Sequence, residues 1–127
     1  VSISNEETAA TCGLYPGRRM LGESHLAPVT EVMKQGIIGL TKAMAAELAP
    51  RGIRVSAVCP RPIVTPMMES ELALFPDPEA VRIEAINRVP LNRWATAEEV
   101  AEAILFLASA TSATGACLAL DGGTTAI

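Results

Sequence analysis

The chain has 127 residues, half of them apolar, and its ten basic and fourteen acidic side chains give a net charge of -4. No lysine-arginine cluster is long enough to track a phosphate backbone, which argues against a nucleic-acid partner, and no apolar run reaches the roughly 18 residues of a membrane span. With one Trp, one Tyr and two Phe, a core must be filled by Ala, Val, Ile, Leu and Met, which favours a helix-covered sheet over an all-β sandwich.

A chain of this length can bury roughly two-thirds of its unfolded surface, so we read 1–127 as a single domain. Val1-Ser-Ile-Ser4 alternates branched and small residues and reads as the end of a strand. Because the chain begins inside that strand, we expect it to be part of something longer. Residues 5–28 carry Gly13, Pro16, Gly17, Gly22 and Pro28 and predict an irregular loop, long enough to expect a functional one.

From 29 to 49 the apolar residues Met33, Ile37, Leu40, Met44 and Leu48 recur at three- and four-residue spacing and predict a helix. Pro50 and Gly52 stop it, the first by restricting the residue before it and the second by tolerating a left-handed turn. Ile53-Arg-Val-Ser-Ala-Val-Cys59 is then a strand suited to burial on both faces. Pro60-Arg-Pro-Ile-Val-Thr-Pro66 has three prolines and must leave the sheet as a rigid extended loop.

Two short helices, 67–74 and 78–87, flank Phe75-Pro-Asp-Pro, and 60–95 reads as a substrate loop or lid. Thr96-Ala-Glu-Glu99 is a capping box ahead of Val100, Ala103, Ile104 and Leu107, so a further helix runs to about Ser109. Ala116-Cys-Leu-Ala-Leu120 makes a last buried strand that stops at Asp121-Gly-Gly123. Strands alternating with helices predict a parallel sheet with right-handed crossovers. Ligands then bind beyond the strand carboxyl ends, on the 5–30 and 60–66 loops.

Cys12, Cys59 and Cys117 are odd in number and lack a Cys-x-x-Cys pair, and His25 is the only histidine, so we expect neither disulfides nor a metal site. A reducing, cytoplasmic setting follows. The methionines read as core and lid fillers, His25 as an exposed loop residue and Trp94 as a structural anchor.

Lys34 to Val55, the Pro60 loop, Val89-Pro-Leu-Asn-Arg-Trp-Ala-Thr-Ala-Glu-Glu-Val-Ala and the final Thr-Gly-Ala…Asp-Gly-Gly together resemble the short-chain dehydrogenase/reductase family over residues 30–127. The resemblance implies an α/β fold, a partial Rossmann-like parallel sheet of about three strands from the carboxyl half of a doubly wound domain. It implies an NAD(P)-dependent oxidoreductase acting on a small-molecule alcohol or carbonyl, forming a homo-oligomer.

In that family a Tyr-x-x-x-Lys pair lies on the long helix, where the tyrosine moves the proton while the lysine binds the cofactor ribose and lowers the tyrosine pKa. Lys34 matches the lysine, and Thr30 stands at the tyrosine position. An aliphatic hydroxyl cannot be tuned toward neutrality as a phenol can. Tyr15 and Arg19 share the spacing, but Pro16 and Gly17 between them break a regular helix, leaving Tyr15 a loop residue. Ser4 and Asn5 are the candidates for the family's helper serine, yet both lie farther from Thr30 than the family spacing.

Residues Pro60, Ile63 and Thr65 match the family's cofactor-binding Pro-Gly-x-x-x-Thr loop, whose backbone meets the nicotinamide carboxamide and whose threonine bonds the cofactor. Arg61 replaces the glycine, and either intrudes on that site, stays in solvent, or reaches a cofactor phosphate. Thr65 serves equally as a helix cap, Ile63 as a packing residue and Lys34 as a solvated lysine. The family's glycine-rich turn and ribose selector have no counterpart here. The resemblance therefore leaves two readings: an oxidoreductase using NAD or NADP, or an inactive, self-associating remnant that binds no cofactor by itself.

Overall fold

A computed structural model of the chain describes residues 8–12 and 27–126, with side chains from residue 35 onward. In chain order the elements are β1 (Thr8–Cys12), α1 (Ala27–Leu48), a 3-10 turn (Ala49–Arg51), β2 (Arg54–Pro60), α2 (Pro66–Leu72), α3 (Pro78–Asn87), α4 (Ala97–Ser109) and β3 (Cys117–Leu120). The three strands form one parallel sheet in the order β1-β2-β3. Thr8 pairs with Arg54 and Cys12 with Val58, while Ala57 pairs with Cys117 and Pro60 with Leu120. The α/β class and the parallel crossovers are thus as the sequence implies.

The central strand is buried almost throughout, and its alternation sends side chains to two layers. Val55, Ala57 and Cys59 face α1, where they meet Ala45 and Ile38. Val58 points the other way, onto Ala103 and Leu107 of α4. A strand covered on both faces has no polar side to show, which explains the continuous apolar run.

Helix α1 keeps part of the stripe its spacing predicts, with Met44 and Leu48 packed against the core, but its most buried positions are shifted from it. Among the described side chains of α1, Ile38, Thr41 and Ala45 are the buried positions, whereas Leu40 is 58% exposed. Small side chains at 41 and 45 bring the helix close to β2, and the buried Thr41 hydroxyl is satisfied by donating to the Ile37 carbonyl at 2.8 Å. The helix stops as expected: Gly52 adopts φ +75° and its N–H returns to Ala49 O.

The first strand corrects the reading of 5–28 as loop. Thr8-Ala-Ala-Thr-Cys lacks the alternation that marks a strand in sequence, and its pairing with β2 supplies what local pattern does not. Val1-Ser-Ile-Ser4 lies outside the described residues, as do the loop residues Tyr15, Arg19 and His25. Strand β3, expected to be buried, is only half covered, because it borders β2 alone among the described strands. No helix among the described residues is long and apolar enough to cross a membrane.

Between β2 and α4, helices α2 and α3 have a core of their own. Leu72, Ala85, Val89 and Trp94 are each 1–4% exposed and pack together with Met68, Val81 and Ile86. Thr65 and Asp77 cap α2 and α3, accepting from Met68 N at 3.2 Å and Ala80 N at 3.0 Å. The expected capping box opens α4, with Thr96 and Glu99 bonded reciprocally at 3.2 and 2.9 Å.

Candidate functional site

In a parallel sheet the strand carboxyl ends lie on one rim, and here, among the described residues, that rim carries the end of β1 at Cys12 and the segments that follow Pro60 and Leu120. Pro60 is the last, buried residue of β2. The next residue, Arg61, is half-buried and its N–H donates to Leu120 O at 2.9 Å, so the loop starts out clamped between β2 and β3.

Three residues on, the chain forms a short parallel bridge between Ile63 and Ala95. Val64 N donates to Ala95 O and Ala95 N to Pro62 O, both at 3.0 Å. A bridge of this type uses both main-chain groups of Ala95 and neither of Ile63, whose N–H and C=O are turned to the opposite side. Thr65 then caps α2: its oxygen accepts from Met68 N, which leaves its hydroxyl proton free to donate elsewhere. Pro60, Ile63 and Thr65 therefore sit on one continuous segment of rim.

Thr30 and Lys34 lie in the first half of α1, one turn apart and on one face of the helix. The register of that helix on the sheet comes from Ile38, Thr41 and Ala45 further along. Ser4 lies outside the described residues and precedes β1, the strand that pairs with β2. A residue following that strand lies beyond Cys12.

The far side of the rim holds groups that the sequence reading left unassigned. Asp121, only 6% exposed, ends β3 by accepting from Gly123 N at 3.0 Å, Thr125 N at 2.9 Å and the Thr125 hydroxyl at 2.5 Å. Burial raises its pKa, but the bonds from Thr125 and Gly123 outweigh this and hold the carboxyl below its ordinary value. Gly122 follows at φ +61°, and a Cβ there would lie 2.4 Å from Val89 Cγ1, so the glycine is required both by conformation and by contact. The signal in the sequence is the Asp-Gly-Gly triplet; its partner Val89, more than thirty residues earlier, gives no local signal.

Arg93 and Glu99 form a forked ion pair, at 2.9 and 2.6 Å, beside a depression of about 120 Å³ lined by Leu91, Ala95, Leu120 and Gly122. The Arg93 guanidinium, together with the Thr96 N–H, lowers the Glu99 carboxyl to about 2. This hollow is well below the roughly 300 Å³ that an ordinary organic ligand occupies, and we assign it a structural role. Among the described residues, no group of three or more His, Cys, Asp or Glu is placed to hold a metal ion.

A family profile described as enoyl-(acyl carrier protein) reductase matches residues 11–125. The chain is 50% identical over 92 residues to the 3-oxoacyl-[acyl-carrier-protein] reductase FabG of Thermotoga maritima, a match covering 71% of this chain and 35% of that protein. A crystal structure of an oxidoreductase of the short chain dehydrogenase/reductase family from Burkholderia thailandensis superimposes with a TM-score of 0.81 at 33% identity, covering 96% of this chain and 46% of the other. A structure from Agrobacterium tumefaciens with bound NADP matches with a TM-score of 0.77 at 31% identity, over 95% of this chain and 47% of that one. The chain thus spans about a third of that curated relative and about half of those solved structures. The profile covers nearly the whole chain, and these solved structures superimpose on 95–96% of it; the chain belongs to the short-chain dehydrogenase/reductase family.

Proposed function

We propose that residues 1–127 supply the nicotinamide loop and the substrate lid of an NAD(P)-dependent oxidoreductase that interconverts an alcohol and a carbonyl compound. The observation that carries this reading is the main chain at Ile63. Its N–H and C=O are turned away from Ala95 at the carboxyl end of the central strand, a donor and an acceptor side by side, as a carboxamide requires.

Thr65 adds a hydroxyl proton, and the Lys34 ammonium fits the ribose hydroxyls as a charged donor. The bound nicotinamide would supply or accept the hydride. Pro60 fixes where the loop leaves the sheet, and Arg61 sets the charge at its start. A homologous structure carries NADP, which makes NADP the first cofactor to test.

Thr30 separates this chain from a complete proton-transfer site. Its hydroxyl cannot be brought toward neutrality by Lys34 as a phenol can, so cofactor binding and fast turnover are separable here. The expected behaviour is saturable binding of NADPH or NADH with slow chemistry. Titration followed by nicotinamide fluorescence tests this; no binding at millimolar cofactor, in a protein that also carries a glycine-rich dinucleotide-binding turn, overturns it.

A second reading is a non-catalytic member that self-associates in a reducing, cytoplasmic setting. It draws on Thr30 and on the outer face of α4, where Leu105 and Phe106 are 68% and 60% exposed. Size-exclusion chromatography with light scattering distinguishes it. A well-folded monomer at tens of micromolar, on the order of the concentration at which weak dimers form, removes this reading.

A further inference from the structure

We infer that Arg61 turns the rim beside Ile63 into an oxyanion site, a role that rests on the proposed nicotinamide contact of Ile63 and extends it to the charged group next to the ring. That group is a phosphate of the nucleotide or a carboxylate of the substrate. The ladder between β2 and β3 fixes the side of the sheet on which Arg61 stands. Ala57 N donates to Ala116 O at 2.8 Å and, four residues further along both strands, Arg61 N donates to Leu120 O at 2.9 Å. The period of two is thus kept through Arg61, which shares a face with Ala57 and Cys59, the face that α1 covers through Ile38. Asp121, beside it on β3, turns its carboxylate into the bonds from Gly123 and Thr125.

Helix α1 runs antiparallel to β2, since Ala45 packs with Val55 and Ile38 with Ala57 and Cys59. Lys34 is one turn before Ile38, about 6 Å nearer the rim, and Arg61 is two residues past Cys59, about 7 Å in the same direction. Two cationic residues therefore stand level with each other on one side of the rim. Like charges at one level repel, and an oxyanion between them offsets the repulsion. Arg61 is half-buried, and among the described residues Asn92 is the one non-glycine with positive φ, so the arginine occupies ordinary backbone. It adds a forked, permanently charged donor and leaves the Ile63–Ala95 bridge two residues on intact.

Calorimetric titration of the 127-residue chain with two pairs of probes tests this. Reduced nicotinamide riboside, which has no phosphate, is compared with reduced nicotinamide mononucleotide, which has one. Oxamate is compared with its uncharged amide, oxamide, on the chain saturated with the riboside. In one of the pairs the charged member should bind roughly tenfold tighter. Arg61→Gly should abolish that preference while the riboside binds as before, and Arg61→Lys should keep part of it. A preference for the mononucleotide assigns the site to a nucleotide phosphate, and one for oxamate assigns it to a substrate carboxylate. In the unaltered chain the preference should weaken as salt is added, which decides the matter if the glycine variant does not fold. Riboside binding with no preference in either pair, a preference that survives Arg61→Gly, or one indifferent to salt overturns the inference alone. A riboside that does not bind overturns the nicotinamide reading of Ile63, and the inference falls with it.

Discussion

The Arg54 guanidinium donates to the Ala110 carbonyl oxygen at 2.8 Å, tying the first residue of β2 to the turn that ends α4. The same group reaches Leu107 O at 2.8 Å and Ala113 O at 3.1 Å, while the Thr114 hydroxyl accepts from Val55 N at 3.1 Å. Helix α4 has no basic residue in its last turn, so a cation from the neighbouring strand serves its carbonyl end.

Removing that cation leaves several carbonyls without a donor. Arg54→Met should destabilise the fold by roughly 2–4 kcal/mol in urea denaturation, and Arg54→Lys should restore under half of the loss, because an ammonium cannot span the same carbonyls. Equal stability of the methionine variant and the parent would show that water serves those carbonyls as well.

Acid should expose the Arg93–Glu99 pair. Folding lowers the Glu99 pKa from its ordinary value of 4.5 to about 2, so its contribution is complete above pH 4.5 and is lost as the pH falls toward 2. Asp121, also lowered, adds a loss of the same sign. Glu99→Gln should flatten the stability profile between those limits, the remaining slope among the described residues coming from Asp121, from Glu98, lowered by its own backbone N–H and the Thr96 hydroxyl, and from Glu69, lowered by Arg82. An unchanged slope in the glutamine variant would mean that Glu99 is not coupled to folding.

Much of this architecture is legible in the residues. The Pro50 and Gly52 stop, the unbroken apolar run of β2 and the Thr96–Glu99 capping box are local signals, each complete within a few residues. What stayed hidden depends on partners far away in sequence. Strand β1 is defined by its pairing with β2, Arg54 by carbonyls more than fifty residues on, and Gly122 by Val89. The inward stripe of α1 is only partly legible because size shifts it: Met44 and Leu48 pack inward as the spacing implies, whereas Thr41 and Ala45 are small enough for close approach and the larger Leu40 is turned out. For the site, Thr65 was readable as a cap, whereas the orientation of the Ile63 main chain needed Ala95.

Thr65 carries two roles that substitutions can separate. Thr65→Val keeps the shape and removes the cap, which should cost roughly 0.5–2 kcal/mol, and on the proposed function it should also weaken cofactor binding. Thr65→Ser should keep both. A valine variant that loses stability but binds cofactor as the parent does would confine Thr65 to capping.

Thr30→Tyr tests the missing phenol. In a protein carrying this segment together with a dinucleotide-binding half, the substitution should raise turnover by roughly a hundredfold, the usual scale of a positioned acid or base, and introduce a pH dependence absent from the parent. The readout is the kcat profile with NADPH or NADH. Turnover that does not change would place the limiting step elsewhere than proton transfer.

The separation of the α2–α3 core from the cores around β2 also bears on heredity. Leu72 and Val89 belong to a cluster that shares no member with those of Val55 and Leu107, so stability effects in the two regions should add with little coupling. Residues 66–94 can then change in sequence as an exchangeable module while the sheet beneath is left untouched.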